Sequence, residues 1–345
     1  MSTSNRIVMA PMTRRFSPGG VPTDAVAAYY QRRAKASVGL LITEGTWIDH
    51  ESASNSHDVP RMYGEDALKG WAAVVNAVHD AGGRIAAQLW HVGALAADST
   101  SDFIPSTVVS PSGFYRPGQI IGDSMSLSQI QDVVDAYARA VRVARDLQFD
   151  AVEFHGAHGY LIDQFFWSQT NRRNDAYGGT LRERTRFAVE VIGECRRAVG
   201  PDYPLIFRLS QFKFEHYDYK LASKPEILSE LVEPLAEAGI SIFHCSQRRY
   251  WEPEFPDSGS HLNLAGWVKK ITGAPTITVG SVGLADRGDR VGTVSLERAE
   301  AMLDRGEIDL VAVGRSLLQD PLWANKVRAG QELLPYDSES LNRLT

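Results

Sequence analysis

Residues 151–161 read Ala151-Val152-Glu153-Phe154-His155-Gly156-Ala157-His158-Gly159-Tyr160-Leu161. The run begins as a short, mostly apolar strand and ends in two histidines three apart, then a tyrosine. Consecutive apolar positions, rather than strict alternation, are the pattern of a parallel strand covered on both faces. Hydrogen-bonding side chains then crowd its C-terminal end. In a fold that presents strand ends to a ligand, His155, His158 and Tyr160 form an active site.

The same kind of run recurs along the chain. Strands are expected at 6–13, 39–46, 84–91, 151–158, 205–210, 241–246, 276–280 and 310–314. Helical patterns lie between them. Ile130, Val133, Val134, Tyr137, Val141 and Ala144 share one face of a helix. Ser126, with Gln129 three residues on, marks its start as a capping box. Ile227, Leu228, Leu231, Val232 and Leu235 make a second stripe that stops at Gly239. Further helices are expected at 24–37, 65–81, 184–199, 263–272, 295–305 and 321–329. Eight strand–helix units predict an α/β chain folded as a (β/α)8 TIM barrel, a single domain over 1–345. A doubly wound open sheet is the rival, but no Gly-x-Gly-x-x-Gly turn follows the first strand. The longest irregular stretch, 92–126, carries Pro105, Pro111 and Pro117 and reads as a capping insertion after strand three.

Composition narrows the class. Hydrophobic residues at 43% and charged residues at 23% predict a globular chain with a substantial core. A net charge of −6 without a dense basic cluster argues against nucleic acid. Cys195 and Cys245 have neither metal nor redox spacing, which points to a reducing compartment. No secretory or membrane-spanning apolar run is evident, so a soluble cytoplasmic protein is expected.

The expected strand ends form a chemical set. Strand one ends in Ala10-Pro11-Met12-Thr13, strand two in Glu44-Gly45-Thr46, and strand three in Gln88-Leu89-Trp90-His91. Strand five ends in Arg208-Leu209-Ser210, strand seven in Gly280-Ser281-Val282-Gly283, and strand eight in Gly314-Arg315. Glycines on the last two strands let backbone N–H groups converge on an anion, the usual phosphate position in such barrels. Thr13, Gln88 and Arg208 supply neutral hydrogen-bonding groups and one fixed cation, suited to a flat electron-accepting ring. Phosphate and ring together point to flavin mononucleotide (FMN).

These residues, in this order, resemble the old yellow enzyme family of FMN-dependent ene-reductases. The resemblance runs from about residue 5 to 322. It rests on Asn5-Arg6-Ile7-Val8-Met9-Ala10-Pro11-Met12-Thr13, Gln88-Leu89-Trp90-His91, the 155–160 segment, Asn171-Arg172-Arg173-Asn174-Asp175-Ala176-Tyr177-Gly178-Gly179, and Val313-Gly314-Arg315 with Asp320-Pro321. It implies that Ala10, Pro11, Met12 and Thr13 lie beside the flavin, with Thr13 near its C4 carbonyl. Gly45 would leave room for the ring, Gln88 would hold its pyrimidine edge, and Arg208 would face the negative charge of the reduced flavin. Ser281, Gly283, Gly314 and Arg315 would bind the phosphate. His155 and His158 would donate to a substrate carbonyl, with Trp90 and Tyr250 shaping the pocket.

Tyr160 would be the general acid, since a phenol with a pKa of about 10 stays protonated at neutral pH. The implied reaction passes hydride from NADPH or NADH to FMN N5. It then passes from N5 to the β-carbon of an α,β-unsaturated carbonyl compound, while Tyr160 protonates the α-carbon. Each role has a plainer reading: a strand-end threonine, a turn glycine, a satisfied core glutamine, a structural ion pair, a core tyrosine. His-x-x-His can also ligate zinc, but no third ligand is spaced to complete such a site. A dienoyl thioester reductase-like FMN barrel and a non-catalytic flavin-binding barrel are the alternatives.

Three departures from the family pattern bear on substrate choice and assembly. The chain begins almost at the first strand, so a floor-covering N-terminal segment is expected to be missing. Arg15 stands where some relatives have an aromatic contact. The stretch 211–219 is unlike the common pattern.

Overall fold

The structure, a computed structural model, describes residues 2–98, 101–214, 216–284 and 293–345. Residues 99–100 of the expected cap and residue 215 of the unusual 211–219 stretch lie outside the described residues. The strands are β1 (Ile7–Met9), β2 (Leu40–Trp47), β3 (Ile85–Trp90), β4 (Phe114–Arg116), β5 (Gln119–Ile120), β6 (Ala151–His158), β7 (Leu205–Lys213), β8 (Ile242–Ser246), β9 (Thr276–Val279) and β10 (Leu310–Val313). Eight of them close a parallel barrel in the order β1-β10-β9-β8-β7-β6-β3-β2, and β4 and β5 form a separate hairpin. Closure rests on β1 pairing with both ends of the sheet, Ile7 opposite Val311 and Val8 opposite Leu40.

Side chains alternate inward and outward along each strand. The inward set at the N-terminal half is small and branched: Val8, Ala10, Leu40, Ile42, Ala86, Ala151, Ile206, Ile277 and Ala312. It fills the barrel, as a barrel of eight strands requires. Outward residues pack under the helices as one continuous core, with Val133, Val134, Tyr137 and Val141 of helix Leu127–Asp146 fully buried. That helix starts with the expected capping box: Ser126 accepts from Gln129 N–H, and Gln129 Oε1 accepts from Ser126 N–H at 2.9 Å.

Three differences from the expected strands matter. β1 is only three residues long, because Pro11 cannot donate to the ladder. β7 runs three residues beyond 210, to Lys213. The 92–126 insertion is not wholly irregular. It holds a turn of 3-10 helix at Gly93–Ala97 and the β4–β5 hairpin, whose Pro117-Gly118 turn uses a left-handed Gly118 (φ 75°).

The β6–β7 register is irregular between Gly156 and His158. Residues three apart on a regular strand face opposite sides, so this break is what lets His155 and His158 approach, with ring centroids 5.3 Å apart. Gly156 is required at the break. A Cβ there would lie 2.2 Å from Phe207 Cζ. Gly156→Ala is therefore expected to lower stability by about 1–3 kcal/mol through overpacking. A urea midpoint that falls at unchanged slope would report this, and an unchanged midpoint would contradict it.

Candidate active site

Above the apolar filling, the inward side chains turn polar. Gln88 stands opposite Glu153 in the β3–β6 register and donates from Nε2 to Glu153 Oε1 at 2.7 Å. The other carboxylate oxygen, Oε2, lies 2.6 Å from His244 Nδ1, all three residues being buried. Arg208 is opposite both His155 and His244 in its two registers. Burial lowers the pKa of Arg208, and the charge of Glu153 opposes that fall. Burial also holds His244 neutral, so its Nδ1 carries the proton toward Glu153 and its Nε2 is left as an acceptor.

Three buried nitrogens on adjacent strands have no partner among the described residues: His155 Nδ1, Arg208 Nε and His244 Nε2. Buried polar atoms are rarely left unmatched, so such a cluster calls for a polar molecule in contact with it. Arg208 lines a cavity of about 440 Å³ at the C-terminal barrel mouth, together with Ala10, Met12, His158, Ser246 and Arg315. Its far side is made by the β9 and β10 ends. Gly280 (φ 152°) has no room for a side chain, since a Cβ would meet Gln247 O at 2.4 Å. Ser281 is left-handed (φ 59°), and Gly314 precedes helix Arg315–Gln319. Ser316 Oγ donates to Gly283 O at 2.9 Å and ties the two strand ends together. Non-repetitive backbone beside one arginine is a setting for an anion.

A second cavity, about 590 Å³, adjoins the first across Phe214 and is lined by Thr13, Arg15, Trp90, Asp98, Arg116 and Tyr160. Tyr160 stands edge-on to Trp90 and to His155, both at 4.7 Å, and Trp90 stacks on Trp47 at 4.3 Å. Desolvation raises the pKa of Tyr160, while the charge of Arg208 pulls the other way. Desolvation and the charge of Arg208 hold both His155 and His158 well below the usual histidine range. Each is therefore a neutral ring with one N–H donor, and His158 Nε2 is 2.9 Å from Ser246 Oγ.

The family model for the NADH:flavin oxidoreductase / NADH oxidase family matches residues 1–333. The chain belongs to this old yellow enzyme family. It is 32% identical to an NADH oxidase of Thermoanaerobacter brockii over 95% of its own length and 49% of that protein. It thus spans about half the length of that relative. It is 33% identical to 12-oxophytodienoate reductase 2 of Arabidopsis thaliana, covering 97% of this chain and 87% of the plant protein. Among solved structures, morphinone reductase in complex with tetrahydroNAD superposes with a TM-score of 0.80 at 28% identity, over 99% of this chain and 91% of that one. The old yellow enzyme homologue of Zymomonas mobilis gives 0.81 at 28% identity, over 98% and 92%.

With the family established, the expected residues can be located. Ala10, Pro11, Met12, His158, Arg208, Ser281, Gly314 and Arg315 line the first cavity, and Thr13, Trp90 and Tyr160 the second. His155 and Gln88 lie just beneath, nearly fully buried. Gly45 leaves space that the Trp90 indole fills, since a Cβ would be 2.2 Å from Trp90 Cε3. The direction of the missing Gly45 Cβ is thus taken by Trp90. Tyr250 is fully buried beside Trp251 and is not among the residues lining either mouth cavity. Among the described residues, no three His, Cys, Asp or Glu side chains are grouped to hold a metal ion. No described helix is long and apolar enough to cross a membrane.

Sequence reasoning passed over Glu44, Glu153 and His244. All three interrupt apolar strand runs, and that interruption is the signal that marks them. Glu44 Oε2 accepts from Arg14 N–H at 2.8 Å and Arg15 N–H at 3.2 Å, fixing the turn after Thr13 in which Arg15 is left-handed (φ 58°). Burial pushes the Glu44 carboxyl up to about 7, against the pull of those two N–H groups. The folded protein therefore binds this proton more tightly than the unfolded chain. Its stabilisation is complete below the ordinary carboxyl pKa and is lost as pH rises to about 7. Glu44→Gln should remove that slope, gaining up to roughly 3 kcal/mol on the parent between pH 4.5 and 8. Denaturant titrations of both proteins at the two pH values measure it, and a pH-independent difference would refute the assignment.

Proposed function

We propose that the chain is an FMN-dependent ene-reductase that takes hydride from NADPH or NADH and reduces the C=C bond of α,β-unsaturated carbonyl compounds. The observation that supports this reading is the grouping of His155, His158 and Tyr160 at two adjoining cavities, His158 lining one, Tyr160 the other, and His155 in ring contact with both residues. One ends in the Ser281–Arg315 anion setting, and the other is an aromatic pocket. Bound FMN would supply the hydride that it has received from the nicotinamide.

The roles of the chain's own groups follow from their surroundings. Arg315, Ser281 and the backbone at Gly280 and Gly314 would hold the phosphate. Gln88, Arg208 and Thr13 would hold the ring, with Gln88 and Arg208 braced from below by Glu153. Neutral His155 and His158 would donate to the substrate carbonyl oxygen and draw electrons from the double bond. The phenol of Tyr160, kept protonated by burial, would give its proton to the α-carbon as hydride reaches the β-carbon. The balance is one hydride and one proton added across C=C, with NAD(P)H oxidised to NAD(P)+. Arg208 eases the momentary tyrosinate, since its charge lowers the Tyr160 pKa. Water from solvent restores the proton.

The visible spectrum of purified protein, reconstituted with FMN, is the direct test. A flavin band bleached by anaerobic NADPH or NADH, then restored by cyclohexenone, is expected. A protein that takes up no flavin would sink the reading. Tyr160→Phe should slow reoxidation by the enone about 10²–10⁴-fold while leaving bleaching by the nicotinamide nearly intact. Equal loss in both half-reactions would contradict the role given to the phenol. His155→Ala and His158→Ala should each weaken the binding of a phenol ligand, followed by its long-wavelength band with the flavin, without loss of the flavin itself. Unchanged phenol affinity would remove the histidines from the carbonyl site.

A further inference from the structure

Beneath the 158–160 turn lies an ion pair that the roles above leave unused. Lys213 Nζ is 2.5 and 2.7 Å from the two carboxylate oxygens of Asp163, and both side chains are completely buried. Neither residue lines a mouth cavity. A buried ion pair is poor evidence for stability, because desolvating both charges offsets their attraction; conformational specificity is the better-supported reason to retain one.

Here the conformation to be specified is unusual. His158 is left-handed at φ 64°, a region costly for a residue with a side chain, and Gly159 follows at φ 89°. The ion pair and its neighbours hold this pair of residues from several directions. Asp163 Oδ2 accepts from Gly159 N–H at 2.6 Å. Lys213 is opposite His158 in the β6–β7 register, beyond the irregularity, and the next residue, Phe214, donates its N–H to His158 O at 3.3 Å. Ser210 Oγ accepts from His158 N–H at 3.0 Å. Asp163 belongs to the short helix Leu161–Phe166, for which Tyr160 is the N-cap residue. One carboxylate thus ties together the turn that presents His158 and the helix that begins at Tyr160. The extension of β7 beyond 210 brings Lys213 to it.

We propose that Asp163 and Lys213 are positioning residues: their ion pair locks the His158–Gly159–Tyr160 turn, so that carbonyl donor and proton donor keep one relative geometry. The proposal rests on the function proposed above. It predicts a selective defect, because Ser281 and Arg315 lie at the ends of β9 and β10, whereas β6 and β7 carry this turn.

The test uses the neutral double variant Asp163→Asn/Lys213→Met, which leaves no buried charge unpaired and keeps an acceptor for Gly159 N–H. It should bind FMN, and its bleaching by NADPH or NADH should stay within about twofold of the parent. Reoxidation by cyclohexenone should slow by roughly 10–100-fold, the scale of an ångström-size misplacement. The long-wavelength phenol–flavin band should weaken in parallel. A folded, flavin-loaded double variant with parental enone reduction would overturn the proposal. Equal loss of flavin affinity and both half-reactions would also overturn it, in favour of a merely structural pair. If the double variant does not fold, Asp163→Glu is measured in the same way. It keeps both charges but displaces the carboxylate by one methylene, and parental enone reduction in it would be decisive against the proposal. A parent protein that takes up no FMN or reduces no enone would instead refute the function.

Discussion

The site depends on a carboxylate buried inside the barrel. Glu153 sits one alternation below His155 on the same strand, accepts from Gln88 on one side and faces the Nδ1 of His244 on the other. It is also the principal counter-charge of the buried Arg208. A charge in such a place is tolerable only when its oxygens are matched. The match makes β3, β6, β7 and β8 one electrostatic unit. Groups that would meet a flavin are thereby set by the barrel wall rather than by loops, and barrel strands hold a geometry better than loops do.

Above that unit, each reactive element is a local departure from regular structure, and each departure has its own brace. The irregular β6–β7 register turns His158 toward His155. Asp163, Lys213 and Ser210 hold the left-handed turn that results. Glu44 does the same for the turn after β1 that carries Thr13. Ser316 joins the β9 and β10 ends. Strain of this kind persists only where the surrounding structure over-determines it. These five residues are buried polar groups that line neither mouth cavity, which is why a motif-based reading passes over them.

The barrel was legible because its evidence is periodic. Apolar runs at 151–154 and 205–207, and the helical stripe from Ile130 to Ala144, declare themselves in any window of the right length. Strand ends were legible for a related reason: His155, Arg208 and Gly314 break an apolar run at its C-terminal edge. What could not be read was anything set by contacts across the barrel. Gly45 looked like space for a ligand, but the direction of its absent Cβ is filled by Trp90, a residue 45 positions away. The resemblance implied Tyr250 as a pocket residue, and its complete burial could not be read from the sequence either. The extension of β7 to Lys213 was hidden because alternating polar and aromatic residues, Gln211-Phe212-Lys213-Phe214, do not resemble the apolar runs of the other strands.

One physical cause accounts for the protonation states on which the chemistry relies. Desolvation lowers histidine pKa values and raises those of tyrosine, since each loses its charged form on burial. At the barrel mouth the same burial therefore makes His155 and His158 neutral donors and keeps Tyr160 a proton-bearing phenol. Arg208, the nearby guanidinium, acts on all three in the same sense electrostatically. It discourages positive charge on the histidines and favours negative charge on the tyrosine. For the histidines it reinforces burial; for Tyr160 it opposes it. In the proposed reaction the carbonyl donors would thus stay in one state, whereas the proton donor would be held protonated at rest by burial and helped to release its proton by Arg208. A carbonyl anchor must not titrate and a general acid must, and the charge of Arg208 acts toward both demands.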